Sequence, residues 1–373
     1  MHPQPDRLGP YEQLATAAAW LRPLAGLGPG SGAPGPRGLP FAWQHHWEEL
    51  VSLSSRHLVT PALAWVIKDD PALPPDVRDY FVAIFELTAE RNIAIQAALA
   101  ETIATLNAAG IEPMLLKGAA GLAAALYPHP GTRIFGDIDL LIRADGVNEA
   151  SATLAEIGFA PTPQPQWVAL AHHHLPIHVH PGRIAGVELH REVLPPGHRT
   201  LADAASFFAG ARAIEIGGGS ALLPSPTDWA AHIIAHGQIV DGGYARGVPQ
   251  LRQLLDLIML RARDESGIDW QQLERRFERA HAGAVLRDAL GLAELLFGQP
   301  PPPGLRTDPA AAAARLRTSL KRPRTRLPAV AAGMIASYAR QLQARPLTIV
   351  NILQPSAWRD RYRRVVRQMR RAG

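Results

Sequence analysis

The sequence predicts an α+β protein, in which a central group of short strands is flanked on both sides by helical regions. Segments with alternating apolar residues cluster in the middle of the chain, whereas segments with apolar residues at helical spacing precede and follow them. We predict five regions: a flexible segment 1–40, a helical region 41–110, a central core 111–224, a helical domain 225–299, and a proline-rich linker with a basic C-terminal segment at 300–373.

Length and composition limit the class of protein. With 373 residues, the chain is long enough for two domains or one large domain with an ample core. No apolar run is long enough to span a bilayer, and Met1 to Gln13 lack the pattern of a signal peptide. The absence of cysteine excludes disulfides and thiolate metal sites. We therefore expect a cytoplasmic protein without a transmembrane segment.

The C-terminal segment carries a concentrated positive charge. Residues 315–373 contain 15 Lys and Arg but one acidic residue, Asp360, so their charge of +14 leaves −9 for the remainder of a chain whose net charge is +5. An apolar stripe from Trp358 to Met369 indicates an amphipathic helix there. We expect docking on the acidic remainder of the chain or weak polyanion contact, with an anionic membrane or nucleic acid as alternatives.

The first region contains one short helix and a linker. Tyr11 to Leu21 is typical of a helix, and Pro23 to Pro40 is a Gly/Pro segment that cannot form a core. Gly30 to Gly35 formally match the glycine pattern of dinucleotide-binding proteins. No strand precedes this match, and Pro34 and Pro36 prevent the helix that should follow, so we reject it.

The second region is predicted to form helices over Phe41–Lys68 and Asp76–Ala109, separated by a turn. Arg91 and Asn92 interrupt the apolar face of the second helix and either reach a ligand or occupy solvated positions. That face packs on the following sheet and consists of Val77, Phe81, Ile84, Ile95, Leu99, Ile103 and Leu106.

The segment Ile111 to Leu141 organises the central core. It predicts a strand over Ile111–Leu116, a tight turn at Gly118, a helix over Ala119–Leu126 and a second strand that carries two aspartates. Because side chains alternate along a strand, these two aspartates, Asp137 and Asp139, point to the same side. Adjacent carboxylates repel each other unless a cation lies between them, and Mg²⁺ suits such oxygen ligands and shares its remaining positions with phosphates.

The turn between the two strands supports a phosphate-directed site. Gly118 allows the backbone to approach a ligand closely, and the N–H groups that open the following helix favour an anion. Lys117 adds a positive charge beside this turn. Taken alone, aspartates near the end of a strand are more often turn or capping residues, so the hypothesis depends on the whole combination.

After a predicted helix over Asp145–Ile157, two further strands are expected in the segment 172–193, around the turn Pro181-Gly182. Glu188 and His190 lie on one face of the second strand. If that strand lies beside the one that carries the aspartates, Glu188 completes a three-carboxylate cluster. The alternative is that Glu188 pairs with a basic neighbour, Arg183 or Arg191.

The histidines of this segment raise a second metal hypothesis. His178, His180 and His190 together offer three nitrogen ligands of the kind that zinc prefers. Histidines on strands more often line a polar face, and the chain contains no HExxH motif. A dedicated zinc site is therefore the minor alternative.

The last compact region begins with a hairpin over Ala211–Leu223. Ser225 is expected to cap a helix that places His232 and His236 one turn apart. A second helix is expected to open at Pro249.

Within this second helix, Arg252 and Asp256 are expected to form a surface pair at i, i+4. Trp270–Phe297 is predicted as further helix, and Pro300–Pro303 end the compact region.

Several of these motifs, in this order, resemble the uncharacterised bacterial nucleotidyltransferase family of the polymerase-beta-like superfamily. The resemblance covers roughly residues 41–300. It is carried by the run LLKGAA at Leu115–Ala120, by RIFGDIDLL at Arg133–Leu141, by HHHLPIHVHPG at His172–Gly182 and by VELH at Val187–His190, with support from Arg56–Pro61, His232, His236 and Leu255–Leu257.

The resemblance implies a small mixed sheet with flanking helices, followed by a helical domain. It implies that Asp137, Asp139 and Glu188 are catalytic and bind two Mg²⁺ ions, with Mn²⁺ as an alternative ion. Gly118 matches the glycine of the superfamily's phosphate-binding turn, whereas Ala119 replaces its serine. Other implied nucleotide-binding residues are Lys117 and Arg133, with a structural ion pair as the alternative for each, and His190, which would orient Glu188 or the acceptor.

The implied reaction is Mg²⁺-dependent transfer of a nucleoside monophosphate from a nucleoside triphosphate (NTP) such as ATP to a hydroxyl or phosphate. The acceptor is open and includes a peptide natural product, a small molecule such as a sugar or antibiotic, a protein and an RNA. A catalytically inactive nucleotide-binding protein, such as an antitoxin-like regulator, is the alternative, and the missing serine motivates it.

Overall fold

The computed structural model describes residues 9–27, 47–71, 73–163 and 173–321. The strands are Met114–Leu115 (β1), Ile138–Leu141 (β2), Ala160–Pro161 (β3), His178–Val179 (β4), Val187–His190 (β5), Arg212–Ile216 (β6) and Gly219–Leu223 (β7). The α-helices are Pro10–Leu21 (α1), Trp47–Arg56 (α2), Thr60–Ile67 (α3), Pro75–Ala108 (α4), Lys117–Ala123 (α5), Val147–Glu156 (α6), Ala204–Ala209 (α7), Pro226–Ala235 (α8), Gly243–Arg246 (α9), Leu251–Asp264 (α10), Trp270–Arg279 (α11), Gly283–Phe297 (α12) and Pro309–Leu320 (α13).

The seven strands form one mixed sheet in the order β3-β4-β5-β2-β1-β7-β6. The pairs β2–β5 and β1–β7 are parallel, and the other neighbouring pairs are antiparallel. The prediction of an α+β protein with a small mixed sheet and flanking helices is confirmed. The buried residues of β2 place this strand in the middle of the core, next to β1 and β5.

The long helix α4 supports the sheet from one side. It spans Pro75–Ala108, one residue from the predicted bounds, and packs against α3, α6 and β7. Its buried residues include the apolar face that the sequence predicts. The described part of the predicted helix Phe41–Lys68 is instead two helices, α2 and α3. Leu58 has a left-handed φ of 56° between them, and Pro61 lies in the first turn of α3, where the missing N–H costs least.

The predicted strand–turn–helix segment is present with shorter elements. Strand β1 covers only Met114–Leu115, and α5 begins at Lys117 and ends at Ala123. The left-handed backbone conformation lies at Lys117, with a φ of 45°, and not at Gly118. This change of direction directly after β1 brings the lysine side chain, and not the glycine, to the edge of the sheet.

The helical region after the sheet begins as predicted. The Ser225 side chain accepts a hydrogen bond from the Asp228 N–H and caps α8. At His236 the helix widens into a π-helical turn that ends at Val240. The predicted helix Trp270–Phe297 is two helices, α11 and α12, because His281 adopts a left-handed φ of 54° between them.

The packed region continues beyond Pro300–Pro303, where the sequence predicts its end. Helix α13 packs against α12 and buries Ala312, Ala313 and Leu316. The small alanines of α13 allow the two helices to approach closely. The proline-rich segment before α13 does not indicate this packing. The predicted linker beyond residue 27 and the predicted basic helix lie outside the described residues. None of the described helices is long and apolar enough to cross a membrane.

Candidate functional site

The parallel pairing of β2 and β5 forms the centre of the site. Its register places Asp139 directly beside Glu188 and Leu141 beside His190. The alternate residues Ile138 and Leu140 are completely buried in the core, so the aspartate projects from the opposite face. Strand β5 thus lies beside β2, as the three-carboxylate hypothesis requires.

His190 completes the closest group of potential metal ligands. Its Nε2 lies 3.0 Å from the Asp139 Oδ1 atom, to which it donates a hydrogen bond, and 3.5 Å from the Glu188 Oε2 atom. One ligand atom from each of these three residues lies within 4.8 Å of the others. Among the described residues, this is the group of His and acidic side chains that could hold a metal ion. Asp137 is outside it, although it belongs to the predicted trio.

Lys117 provides a positive charge at the same place. Its Nζ atom lies 2.8 Å from the Asp139 Oδ1 atom, to which it donates a hydrogen bond, and 3.8 Å from the Glu188 Oε2 atom. The sequence predicts a phosphate-binding turn beside Lys117, and the structure directs the ammonium group of this lysine towards the carboxylates. The structural ion pair that the sequence left as an alternative is therefore present.

The charges of the site shift the pKa values of its carboxylates in opposite directions. Burial, together with the negative charges of Glu188 and Asp139, raises the pKa of Asp137 to about 7. Burial also acts to raise the pKa of Asp139, but the charge of Lys117 and the hydrogen bond from His190 outweigh it and hold this pKa well below its usual range. At Asp137 the charges of Lys117 and Arg91 act to lower the pKa but do not outweigh burial and the neighbouring carboxylates.

The chemistry of this group fits a divalent cation. Two carboxylates and an imidazole offer two oxygen atoms and one nitrogen atom, and Mg²⁺ and Mn²⁺ both accept carboxylate oxygens. Burial and the charges of Glu188 and Asp139 raise the pKa of Asp137 more than the positive charges of Lys117 and Arg91 lower it. An additional positive charge would stabilise all three carboxylates in their ionised form.

Gly118 and Ala119 follow Lys117 in α5, and both are buried. A Cβ atom on Gly118 would lie 2.9 Å from the Phe135 Cδ1 atom and 3.2 Å from the Arg133 Nη1 atom. The close approach that requires a glycine is therefore to side chains of the same chain. The role of Gly118 and Ala119 in binding a nucleotide remains a prediction.

Arg133 forms a buried ion pair with Asp256 of α10. Its Nε donates to the Asp256 Oδ1 atom at 2.7 Å and its Nη2 to the Oδ2 atom at 2.8 Å, while the Tyr127 hydroxyl donates to Oδ1 at 2.6 Å. The prediction that Asp256 lies at the surface is wrong, because this residue faces the core and pairs with Arg133. The pair joins the loop before β2 to the helical region. Arg133 therefore forms the structural ion pair that the sequence left as the alternative to a phosphate contact.

Two side chains of α4 hold the loop before β2, and the sequence reasoning did not find this role. Asn92 Nδ2 donates to the carbonyls of Pro130 and Arg133, at 2.6 and 2.7 Å. Arg91 donates to the carbonyl of Gly136 at 3.1 Å, directly before Asp137. The interruption of an apolar helix face by two polar residues is the signal that could have indicated such anchoring.

The histidines of the zinc hypothesis do not meet. His178 Nε2 is hydrogen-bonded to Ser151 Oγ at 2.7 Å, and His180 Nδ1 accepts a hydrogen bond from the Gly182 N–H at 2.9 Å. Only His190 lies at the carboxylates. Glu188 does not pair with Arg183, whose partner is Glu101 of α4. Contacts with α6, with α4 and within the local turn decided these pairings, and spacing along the chain does not reveal them.

Lys117, which contacts Asp139, also lines a cavity of about 70 Å³. The Nε2 atom of His232, which projects from α8, is buried without a hydrogen-bond partner in the structure. Burial holds the pKa of His232 well below its usual range, so this imidazole is neutral. The lining residues are Lys117, Gly121, Leu126, Arg133, Trp229, His232, Ile233, His236, Arg252, Gln253 and Asp256.

Comparison with known proteins adds one result. The model of a family described as "Uncharacterised nucleotidyltransferase" matches residues 44–298, which span all seven strands and the helices from α2 to α12. No curated protein and no solved structure matches the chain significantly.

Proposed function

Because this chain belongs to the family of uncharacterised nucleotidyltransferases, we propose that it transfers a nucleoside monophosphate from an NTP to an acceptor hydroxyl or phosphate, with Mg²⁺ as cofactor. An acceptor oxygen forms a bond to the α-phosphorus while the bond from this phosphorus to the bridging oxygen of the β-phosphate breaks. Pyrophosphate leaves with that oxygen. The acceptor is a peptide, a small molecule, a protein or an RNA.

The observation that carries this proposal is the register of β2 and β5. It places the carboxylates of Asp139 and Glu188 side by side, although 49 residues separate them in the sequence. Asp137 directly precedes β2, and its pKa is raised by burial and by the charges of Glu188 and Asp139, which indicates that the three carboxylates lie near one another. We infer that they share a cation.

The three carboxylates would hold Mg²⁺, with His190 as a neighbouring nitrogen donor. Bound there, Mg²⁺ supplies positive charge that neutralises the triphosphate and lowers the pKa of an acceptor hydroxyl. Glu188 is the most exposed of the metal-ligand group and can accept the proton of this hydroxyl, as a general base does. His190 orients Glu188 through the contact between their side chains.

Lys117 contributes to binding of the triphosphate. Its ammonium group contacts Asp139, and the residue also lines the neighbouring cavity, so Lys117 lies between the proposed cation site and that cavity. A positive charge in this position attracts the phosphates and stabilises the charge that develops on the leaving pyrophosphate. Arg133 supports this region indirectly, because its guanidinium group is paired with Asp256.

The proposal is tested by following label transfer from α-labelled NTPs to candidate acceptors in the presence of Mg²⁺. We expect Asp137→Asn and Asp139→Asn to reduce turnover at least about 100-fold, because each removes a negative charge from the cation site. Asp145→Asn is the matched control, since Asp145 is exposed and follows β2 by only a few residues. Equal turnover by the wild type and both site variants would contradict the proposal.

A second candidate is a nucleotide-binding regulatory protein without turnover. Two observations favour it: the buried Ala119 stands where the resembled superfamily has a serine, and the ammonium of Lys117 already neutralises Asp139. Calorimetry with an NTP distinguishes the two candidates. Tight binding that Mg²⁺ does not affect, without release of pyrophosphate, supports the regulatory protein, whereas Mg²⁺-dependent binding with pyrophosphate release supports the transferase.

A further inference from the structure

Lys117 lies where a cation bound to the carboxylates would lie. Its Nζ atom is 2.8 Å from one oxygen of Asp139, the distance of a charge-assisted hydrogen bond, and 3.8 Å from an oxygen of Glu188. The Oδ1 atom of Asp139 therefore already has a cationic partner. A metal ion that uses the same oxygen must compete with this ammonium group.

The backbone helps to hold the lysine in this position. Lys117 is one of four residues other than glycine with a positive φ among the described residues, and at 45° it lies in the left-handed region. It begins α5, one residue separates it from the end of β1, and its side chain reaches Asp139 of β2. An unfavourable backbone conformation at a charged residue of the site indicates that this placement has a role.

We propose that Lys117 is the resident counter-ion of the metal site, that a divalent cation must displace it, and that the phosphates of the incoming substrate receive the displaced ammonium group. This inference rests on the proposed function, since it assigns a mechanism of substrate selection to the same site. It makes Lys117 a positioning residue that couples binding of the metal to binding of the polyphosphate.

The cavity beside the carboxylates provides the second position for the ammonium group. Lys117 lines this cavity together with two further basic residues, Arg133 and Arg252. A displaced ammonium would meet positive charge there, so the second position becomes favourable when an anionic group of the substrate occupies the cavity. Metal without polyphosphate thus binds weakly, and by linkage each ligand strengthens the binding of the other.

The electrostatics of the lysine agree with this role. Burial alone lowers the pKa of Lys117, but the charges of Asp139 and Glu188 outweigh burial and raise it above its ordinary value. The ammonium group is therefore charged at neutral pH and interacts strongly with the carboxylates. Exchange of this group for a divalent ion is a replacement of one cation by another, not a loss of a proton.

The first test measures Mn²⁺ binding to the full chain without nucleotide, from the loss of the electron paramagnetic resonance signal of free Mn²⁺. We expect Lys117→Met to bind Mn²⁺ about tenfold more tightly than the wild type, within the usual range of coupling between sites. Lys117→Arg keeps the charge and should keep the weak binding. Lys68→Met is the matched control, since Lys68 pairs with Asp69 at 2.8 Å outside the site.

The second test uses the unmodified protein and therefore does not depend on the folding of a variant. The chain has three lysines, Lys68, Lys117 and Lys321, so acylation of each is readily followed by mass spectrometry. We expect Mn²⁺ to increase the acylation rate of Lys117 several-fold, because its side chain is then released from the contact with Asp139 and is more accessible to the reagent. The rates at Lys68 and Lys321 should not change.

The outcomes separate this inference from the proposed function. If the wild type and Lys117→Met bind Mn²⁺ equally and Mn²⁺ leaves the acylation of Lys117 unchanged, the counter-ion role is wrong while the metal site stands. If neither protein binds Mn²⁺, both the metal site and the inference are wrong. Tighter binding by Lys117→Met together with Mn²⁺-induced acylation of Lys117 supports the inference.

Discussion

At the scale of single residues, the buried pair between Arg133 and Asp256 has the clearest energetic consequence. Both side chains are largely buried, and the carboxylate accepts hydrogen bonds from the guanidinium group and from the Tyr127 hydroxyl. A buried charge without a partner is costly, so the contribution of each residue depends on the presence of the other. The pair also forms part of the cavity wall beside Lys117.

We expect Asp256→Ala to lower the free energy of unfolding by about 3–5 kcal/mol, because it leaves the Arg133 guanidinium group buried without its counter-ion. Urea unfolding followed by circular dichroism measures this change. Asp264→Ala is the control, since Asp264 of the same helix pairs with Arg212, which is largely exposed. If Asp256→Ala lowers the free energy of unfolding by no more than about 1 kcal/mol, as is typical of surface pairs, the buried pair does not stabilise the fold.

The residue scale also explains why the three carboxylates behave differently. Lys117 and His190 both donate to Asp139 and hold its pKa well below the usual range, whereas burial and the neighbouring carboxylates raise the pKa of Asp137 to about 7. Equivalent positions in a sequence motif thus have different pKa values in the folded chain. The difference arises from the neighbours that the other elements contribute.

At the scale of elements, α4 positions the loop that leads into β2. Asn92 donates to two carbonyls of this loop, and it is completely buried. Arg91 holds the carbonyl of Gly136 next to Asp137. The geometry of the carboxylates therefore depends on two helix residues that precede Asp137 by more than forty positions in the chain.

We expect Asn92→Ala to lower the free energy of unfolding by about 1–3 kcal/mol, because two buried carbonyls lose their donor. The same substitution should reduce turnover more than it raises KM, since a looser loop misplaces Asp137. Unfolding curves and steady-state kinetics of label transfer measure the two effects.

The matched control for Asn92→Ala lies on the same helix. Thr105 donates only to the carbonyl of Glu101 within α4, so Thr105→Ala should leave turnover unchanged and cost less than about 1 kcal/mol of stability. Equal effects of the two substitutions would indicate a general loss of helix stability and would contradict the anchoring of the loop.

At the scale of the whole molecule, α13 extends the packed part of the chain. It buries Leu316 and two alanines against its neighbours, and Arg315 pairs with Asp288 of α12. We propose that the C-terminal helical domain includes this helix and ends near Lys321, not at the prolines that precede it.

Two truncated chains test this domain boundary. A chain that ends at Lys321 keeps α13 and should unfold at the same urea concentration as the full chain. A chain that ends at Gln299 exposes the apolar surface of α12 that α13 covers, and we expect a loss of about 2–5 kcal/mol, as for buried leucines replaced by alanine. Equal stability of both truncated chains would show that α13 contributes nothing.

The charge of the whole chain leads to a separate prediction for its basic end. Residues 315–373 carry most of the positive charge, and we propose that this segment makes weak contacts with polyanions. A chain that ends at Gln354 should elute from heparin at a lower salt concentration than the full chain, because it lacks seven arginines and one aspartate. Identical elution would dismiss this role.

The sequence alone predicted those parts of the fold that depend on local patterns. The bounds of α4 follow from apolar spacing, and the start of α8 follows from the serine cap and the proline in the first turn. The strands of the site follow from alternation, which also placed Asp139 and Glu188 on the strand faces opposite their apolar neighbours. That β5 lies beside β2 was a condition of the hypothesis and not a result of it.

What the sequence determined by itself is the type of each element, the carboxylates that its strands carry and the family to which the chain belongs. Only the tertiary structure decided the partners: Lys117 with Asp139, Arg133 with Asp256, and Asn92 with the loop before β2. The physical reason is that alternation and helical spacing act between neighbours in sequence. Ion pairs and buried hydrogen bonds form between residues far apart in the chain, and the packing of the elements selects among many alternative partners.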